Sequence, residues 1–365
     1  MPPPYRAENI GSLLRPASLL QARQDWQQGR LSLPDFKRVE DRAVNEAIAL
    51  QEAVGLPVVT DGEMRRLVFT GSLTEAVEGI EPVPTPRWQW HGTRPEDDMS
   101  FRLPVCVTGK IRRRRSLAGE EFAYARGRTD KPLKMTLPSP LMLALFWSPE
   151  HSTAAYTDPF ALFSDAVDIL RQEIRELADL GCQYIQIDAP ELATLVDDSQ
   201  RQHTYEARGV STDRMLGEGV DMLSAIADTP GVTFGLHLCR GNNAGHWMSQ
   251  GGYEAISKQV FRRAPRYDII LLEYDDWRSG SFDALADIPQ DKTVVLGLVS
   301  TKANSLEPLD GLTARIQQAG QHFPHQQLAI STQCGFASVA QGNPISPELQ
   351  EQKLRLVVEL AQRAW

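Results

Sequence analysis

The feature that most restricts the fold of this chain is a repeated order of elements through its C-terminal two-thirds. Short β-rich runs end in polar or small residues, and each is followed by a helical stretch. The clearest strands are expected at 184–188 (YIQID), 232–239 (VTFGLHLC), 268–273 (DIILLE), 293–300 (TVVLGLVS) and 328–332 (LAIST). Helices are expected between them, near 159–180, 209–228, 251–262, 309–322 and 347–363. In the first of these, Phe160, Phe163, Val167, Leu170, Ile174 and Leu177 recur at steps of three and four, with Asp158-Pro159 as a start signal and Gly181 as a stop. Repeated β-then-α units require a parallel sheet with helices outside it.

The first half is less regular. Helices near 17–28 and 34–54 precede a strand near 56–60. Residues 80–104 are rich in proline and polar groups, a hairpin is expected near 103–128, and a further strand near 133–137. Eight plausible βα units favour a closed (β/α)8 TIM barrel over an open sheet. The expected architecture is one α/β catalytic domain over residues 1–365, with an N-terminal helical extension and an inserted hairpin region near 80–128. No Gly-x-Gly-x-x-Gly follows a strand, which argues against dinucleotide binding.

Composition excludes several classes. Of 365 residues, 42% are apolar and 23% charged, an ordinary globular balance. The net charge of −9 gives no broad reason to bind nucleic acid or anionic lipid. The run Arg112–Arg115, after Lys110, reads as a solvated hairpin tip rather than an anion site. No segment has the apolar length of a membrane span, and Met1–Arg6 lacks the apolar stretch of a signal peptide, so a cytoplasmic location is expected. The four cysteines, 106, 182, 239 and 334, are far apart and are not expected to form disulfides.

In such barrels chemistry sits at the C-terminal strand ends. The polar residues there are Asp61 and Glu63, Asp188, His237 and Cys239, Glu273, and Cys334. Alternate strand residues share a face, so His237 and Cys239 project together. Imidazole and thiolate are preferred zinc ligands, and Glu273 and Cys334 complete a possible His, Cys, Glu, Cys set. Such a site lowers the pKa of a bound substrate thiol, while thiolate ligands temper the charge of the ion. Glu273 is the ligand expected to yield to an incoming sulfur. Glu63 and Asp188 suit a substrate ammonium through charge-assisted hydrogen bonds.

His237-x-Cys239, Glu273 and Cys334-Gly335 resemble the zinc ligands of the cobalamin-independent methionine synthase family. Ile10-Gly11-Ser12 resembles its loop for the homocysteine carboxylate, and Asp61-Gly62-Glu63 with Arg66 and Phe69 resembles its amino-acid contact. Gln186-Ile187-Asp188-x-Pro190 resembles the strand end that binds the homocysteine amino group. The resemblance runs in order from about residue 6 to 363. It implies a cytoplasmic zinc enzyme that methylates homocysteine to methionine from a methyl donor, folate or another.

This chain has the length of the catalytic barrel alone, without the second barrel that helps hold the folate tail, which leaves the donor open. The family's proton-donor histidine falls near 297–303, where this chain reads GLVSTKA; Lys302 and Ser300 are the local substitutes. Asn9 stands where single-barrel relatives often carry histidine. The strings HLCRGN, LEYDD and QCGFAS look like the single-barrel branch, which includes alkyl transferases acting on coenzyme M. The alternative activity is therefore an epoxyalkane:coenzyme M transferase. A sulfonate would want a cation, and Arg240 is the local one, although its strand position turns it away from His237 and Cys239. A purely structural zinc is the non-enzymatic reading. Trp147 is expected either as a stacking platform for a flat donor or as core, and Cys106 and Cys182 as core. The remaining histidines show no ligand spacing.

Overall fold

The structure, a computed structural model, describes residues 4–365. Met1–Pro3, part of the start read for a leader, lie outside the described residues. Eleven strands follow in chain order: β1 Ala7–Glu8, β2 Val77–Glu81, β3 Trp88–Trp90, β4 Met99–Phe101, β5 Cys106–Arg113, β6 Lys134–Pro138, β7 Tyr184–Asp188, β8 Thr233–Leu238, β9 Ile269–Glu273, β10 Thr293–Val299 and β11 Leu328–Thr332. Seven of them form one parallel sheet in the order β1-β11-β10-β9-β8-β7-β6.

The expected strand near 56–60 is reduced to a single parallel bridge between Val59 and Leu133. It still occupies the eighth place. Beyond it, Thr60 Oγ1 donates to Gly11 O at 2.8 Å and Leu13 N to Gly62 O at 3.0 Å, joining this segment to the stretch after β1. The curled sheet is thereby brought round as a TIM-type barrel with one weakly bonded seam.

Two apolar layers follow from strand alternation. Ile10, Val58, Tyr184, Ile269, Leu271, Val295 and Ala329 form a small cluster inside the barrel. A far larger cluster lies between the sheet and the helices. The helix Pro159–Asp179 shows why the second layer forms. Asp158 caps it by accepting from Phe160 N, and Phe160, Phe163, Leu170, Ile174 and Leu177 are buried along one stripe. Each such side chain contributes about 1.5–3 kcal/mol on burial.

The interior also holds a cation. Lys134 is fully buried and its Nζ donates to Glu8 Oε2 and Asn9 O, both at 2.6 Å, and to Gln186 Oε1 at 2.8 Å. Three acceptors satisfy its three donors, which is what makes a charge tolerable there.

Two expectations are corrected. The hairpin near 103–128 is not local: β5 pairs antiparallel with β2, and Gly119–Ala125 is helical. Leu117, Ala118, Phe122 and Ala125 bury an apolar face, so packing draws this segment into a helix. The local hairpin of the insertion is instead β3–β4, with Trp88 opposite Phe101 and Trp90 opposite Met99. The helix near 251–262 shrinks to short turns at Tyr253–Ala255 and Ser257–Val260. The expected helix near 209–228 is present from Thr212 to Ile226 and widens to a π-helical turn at Met215–Gly219. Among the described residues no helix is long and apolar enough to cross a membrane.

Candidate functional site

β8 delivers His237 inward, and Cys239 lies just beyond its end. Cys334 lies two residues past β11, where Thr332 Oγ1 donates to Cys334 O at 2.9 Å and sets the turn. One ligand atom from each of His237, Cys239 and Cys334 lies within 4.8 Å of the others, and all three residues are buried. Among the described residues neither ring nitrogen of His237 has a hydrogen-bond partner. A buried imidazole with both nitrogens unpaired, beside two sulfurs, fits a borderline-soft cation such as zinc.

The two thiols are 3.9 Å apart. Contact with Cys334 and burial push the Cys239 thiol well up, whereas contact with Cys239 and His237 holds Cys334 well below the ordinary range against its burial. Burial works to lower His237, but its neighbours Cys334 and Asp188 carry it upward.

Glu273 ends β9 on the inward face but stands outside this trio. Its Oε1 accepts from Lys302 Nζ at 3.0 Å and Arg278 NH2 at 3.3 Å, and its Oε2 from Arg240 N at 2.5 Å. Burial alone would raise this carboxyl; Lys302, Arg278 and Arg240 instead bring it down to about 2. Ser300 Oγ donates to Asp275 Oδ2 at 2.6 Å. Glu273, Lys302 and Ser300 thus belong to a charged cluster behind the trio, and none of the three lines the cavity in front of it.

That cavity has a volume of about 400 Å³ and opens at the C-terminal strand ends. Gly11, Ser12, Glu63, Asp188, His237, Cys239 and Cys334 all line it. Glu63 adopts a left-handed backbone (φ 54°), uncommon for a residue with a Cβ. Its amide donates to Asp61 Oδ1 at 2.8 Å, its Oε1 accepts from Thr136 Oγ1 at 2.8 Å, and its buried Oε2 has no partner. Gly11 leaves room for this carboxyl, because a Cβ there would stand 2.6 Å from Glu63 Oε1 and would push it from its place. Arg66 braces the group from behind by pairing with Glu121 at 2.7 Å and donating to Thr136.

Asp188 pairs in register with His237 on the neighbouring strand, and its Oδ1 accepts from Gln186 Nε2 at 2.7 Å. Burial raises its pKa to about 7, with Glu63 adding to the rise. Ser12 closes against Gly335: a Cβ on Gly335 would meet Ser12 Oγ at 2.0 Å and Ser12 N at 3.0 Å.

Two sequence readings resolve simply. Trp147 is core, buried with Nε1 donating to Arg208 O at 3.0 Å. Arg240 is turned away as expected, donating to Gly251 O and lying over Tyr253. The aromatic side chains that do line the cavity include Trp90 and Phe101 of the insertion, which sequence reading passed over. The only signal was Trp88-x-Trp90 inside an otherwise polar stretch.

The sequence profile described as "Cobalamin-independent synthase, Catalytic domain" matches residues 6–363. This chain belongs to that family. It is 34% identical to the Bacillus subtilis protein YxjG, over 100% of this chain and 95% of that one; YxjG carries no assigned activity. It is 24% identical to the 5-methyltetrahydropteroyltriglutamate–homocysteine methyltransferase of Trichodesmium erythraeum, over 92% of this chain and 41% of that longer protein. The fold matches that of a B12-independent methionine synthase from a Shewanella species, with TM-score 0.75, 19% identity and coverage of 98% and 97% of the two chains. Membership of the cobalamin-independent synthase family makes the protein a methionine synthase-like methyltransferase with a TIM-type barrel.

Proposed function

We propose that this family member is a cytoplasmic, zinc-dependent methyltransferase that acts as one catalytic domain and transfers a methyl group to the thiol of homocysteine, forming methionine. The observation that carries this reading is the convergence of His237, Cys239 and Cys334 on the cavity that also presents the Glu63 and Asp188 carboxyls. His237, Cys239 and Cys334 would hold the metal, with Glu273 in reserve behind them. Zinc at such a site supplies a Lewis acid that lowers the pKa of a nearby thiol below working pH.

The chain's own groups do the rest. The free Glu63 Oε2 and Asp188 present negative charge where an amino-acid ammonium would otherwise be desolvated without a partner. An arriving ammonium draws Asp188 to its ionised form, since an opposite charge favours the carboxylate. The close Ser12–Gly335 approach supports the Gly11-Ser12 loop as the seat for the substrate carboxylate. Fixing both ends of the amino acid orients its sulfur toward the trio, which is where most of the rate advantage of such a site would arise.

A sulfonate-bearing thiol such as coenzyme M fits this cavity poorly. Among the described residues no lysine or arginine lines it, and Arg240 is committed to Gly251 and Tyr253. The test is zinc X-ray absorption with and without homocysteine. One additional sulfur in the coordination shell is expected; an unchanged sulfur count on saturation with homocysteine would overturn the proposal.

A further inference from the structure

The cavity has a half that the amino-acid acceptor does not use. Beyond Glu63 and Asp188 its walls are almost wholly apolar, with Phe69, Trp90, Phe101, Leu103 and Phe146 among them. Trp90 and Phe101 stack with ring centroids 6.0 Å apart and planes 19° from parallel. The wall they form is tied to the loop that follows Cys239. His91 N donates to Trp247 O at 2.7 Å, and Trp247 N returns to His91 O at 3.1 Å. A second link joins His246 Nε2 to Asp97 O at 3.1 Å. The insertion is thus a fixed part of the methyl-transfer cavity.

Its chemistry constrains the donor in three ways. First, apart from the His237, Cys239 and Cys334 trio the ionisable side chains on the walls are acids, with Glu75 added at the mouth, so among the described residues an anionic donor meets no lysine or arginine. Second, about 400 Å³ is near the lower end for ligand sites and must also hold the acceptor, which favours a compact methyl-bearing group next to the trio. Third, an amine leaving group needs a proton as it departs. The two side chains that the sequence offered for this purpose, Lys302 and Ser300, are tied to Glu273 and Asp275 outside the cavity.

We propose that this half of the cavity binds a compact cationic methyl donor, a methylsulfonium, against the Trp90–Phe101 wall, with Glu75 at the mouth as the acid that the acceptor leaves free. The inference rests on the thiol-methylation reading above. Aromatic faces attract an onium cation, and an anion is repelled by the same surface. In the step, the acceptor thiolate sulfur attacks the methyl carbon and a new C–S bond forms. The bond from that carbon to the sulfonium sulfur breaks, and its electron pair stays on the departing sulfur. The leaving group is a neutral thioether that needs no proton, the acceptor's own proton having been lost to solvent when the thiolate formed. No oxidation or reduction occurs.

The test uses the full, zinc-loaded chain with homocysteine and four probes: trimethylsulfonium, dimethyl sulfide as its neutral counterpart, 5-methyltetrahydrofolate triglutamate, and methyl iodide. Calorimetry without thiol should show binding of trimethylsulfonium and none of dimethyl sulfide at equal concentration. Trp90→Leu should weaken that binding roughly three- to thirty-fold. Should this variant fail to fold, Glu75→Gln serves instead, with an expected loss of about two- to five-fold. Methionine should form faster from trimethylsulfonium than from the folate. Equal or faster turnover with the folate, or sulfonium binding unmoved by either substitution, overturns the proposal. Methyl iodide separates the two levels of inference. Accelerated alkylation by methyl iodide or by the folate with none by the sulfonium sinks the donor assignment alone, whereas no acceleration with any of the three sinks thiol methylation itself.

Discussion

Lys302 Nζ stands 3.0 Å from Glu273 Oε1, and Glu273 lies outside the close group of ligand atoms that His237, Cys239 and Cys334 form. Both side chains are deeply buried, at 9% and 0% exposure. The ammonium therefore competes directly with a cation for the same oxygen. Lys302→Met should tighten zinc binding by about ten-fold, within the range seen when groups around a ligand are changed. Competition with a chromogenic chelator measures it, and an unchanged or weaker affinity would show that Glu273 is not held back by Lys302.

Removing a sulfur should separate a catalytic from a structural metal. Cys239→Ser is expected to lose most bound zinc while keeping its helix content, because the apolar layer around the barrel does not depend on this residue. Metal analysis with far-UV circular dichroism reads both quantities. Loss of helix together with the metal would favour a structural zinc.

Asp188 should matter only to acceptors that carry an ammonium. Truncating one partner of a buried charge pair costs about 3–5 kcal/mol, equivalent to roughly a hundred- to several-thousand-fold in rate. Asp188→Asn should retain zinc and lose turnover with homocysteine on that scale, and be far less impaired with mercaptoethanol. Equal impairment with both thiols would sink the assignment.

Glu191 offers a stability test away from the trio. Burial raises its pKa to about 8, Ser139 Oγ donates to it at 2.6 Å, and its other oxygen has no partner. The folded chain then keeps a proton that the unfolded chain releases above its ordinary value of 4.5. With fewer protons on the unfolded state, stability falls as pH rises through that window, by up to about 1.4 kcal/mol per pH unit from this group. Glu191→Gln should flatten that part of the decline between pH 5.5 and 7.5 in urea denaturation. A slope identical to that of the parent would refute the assignment.

Much of this molecule was legible in the residues alone because its signals are local. Strand alternation places His237 and Cys239 on one face whatever surrounds them, and the β-rich runs before Asp188 and Glu273 mark strands that end at one edge. The helices at Leu33–Ala53, Pro159–Asp179 and Pro347–Ala364 announce themselves by capping residues and by stripes at steps of three and four.

What the tertiary structure alone decided lies in long-range pairing. Which partner a buried charge takes depends on distances between strands, so Glu273 went to Lys302, Arg278 and Arg240 and not to the trio. β5 found β2 across an insertion rather than its own neighbour, and that pairing left the short β3–β4 hairpin to bring Trp90 and Phe101 to the cavity. The sequence by itself determined the order of elements and the ligand types at the strand ends, because pleat and helix periodicity are properties of consecutive residues. The aromatic wall of the cavity and the pairing of Glu273 with Lys302 belong to the fold, because both arise from contacts between segments that carry no record of one another in the chain.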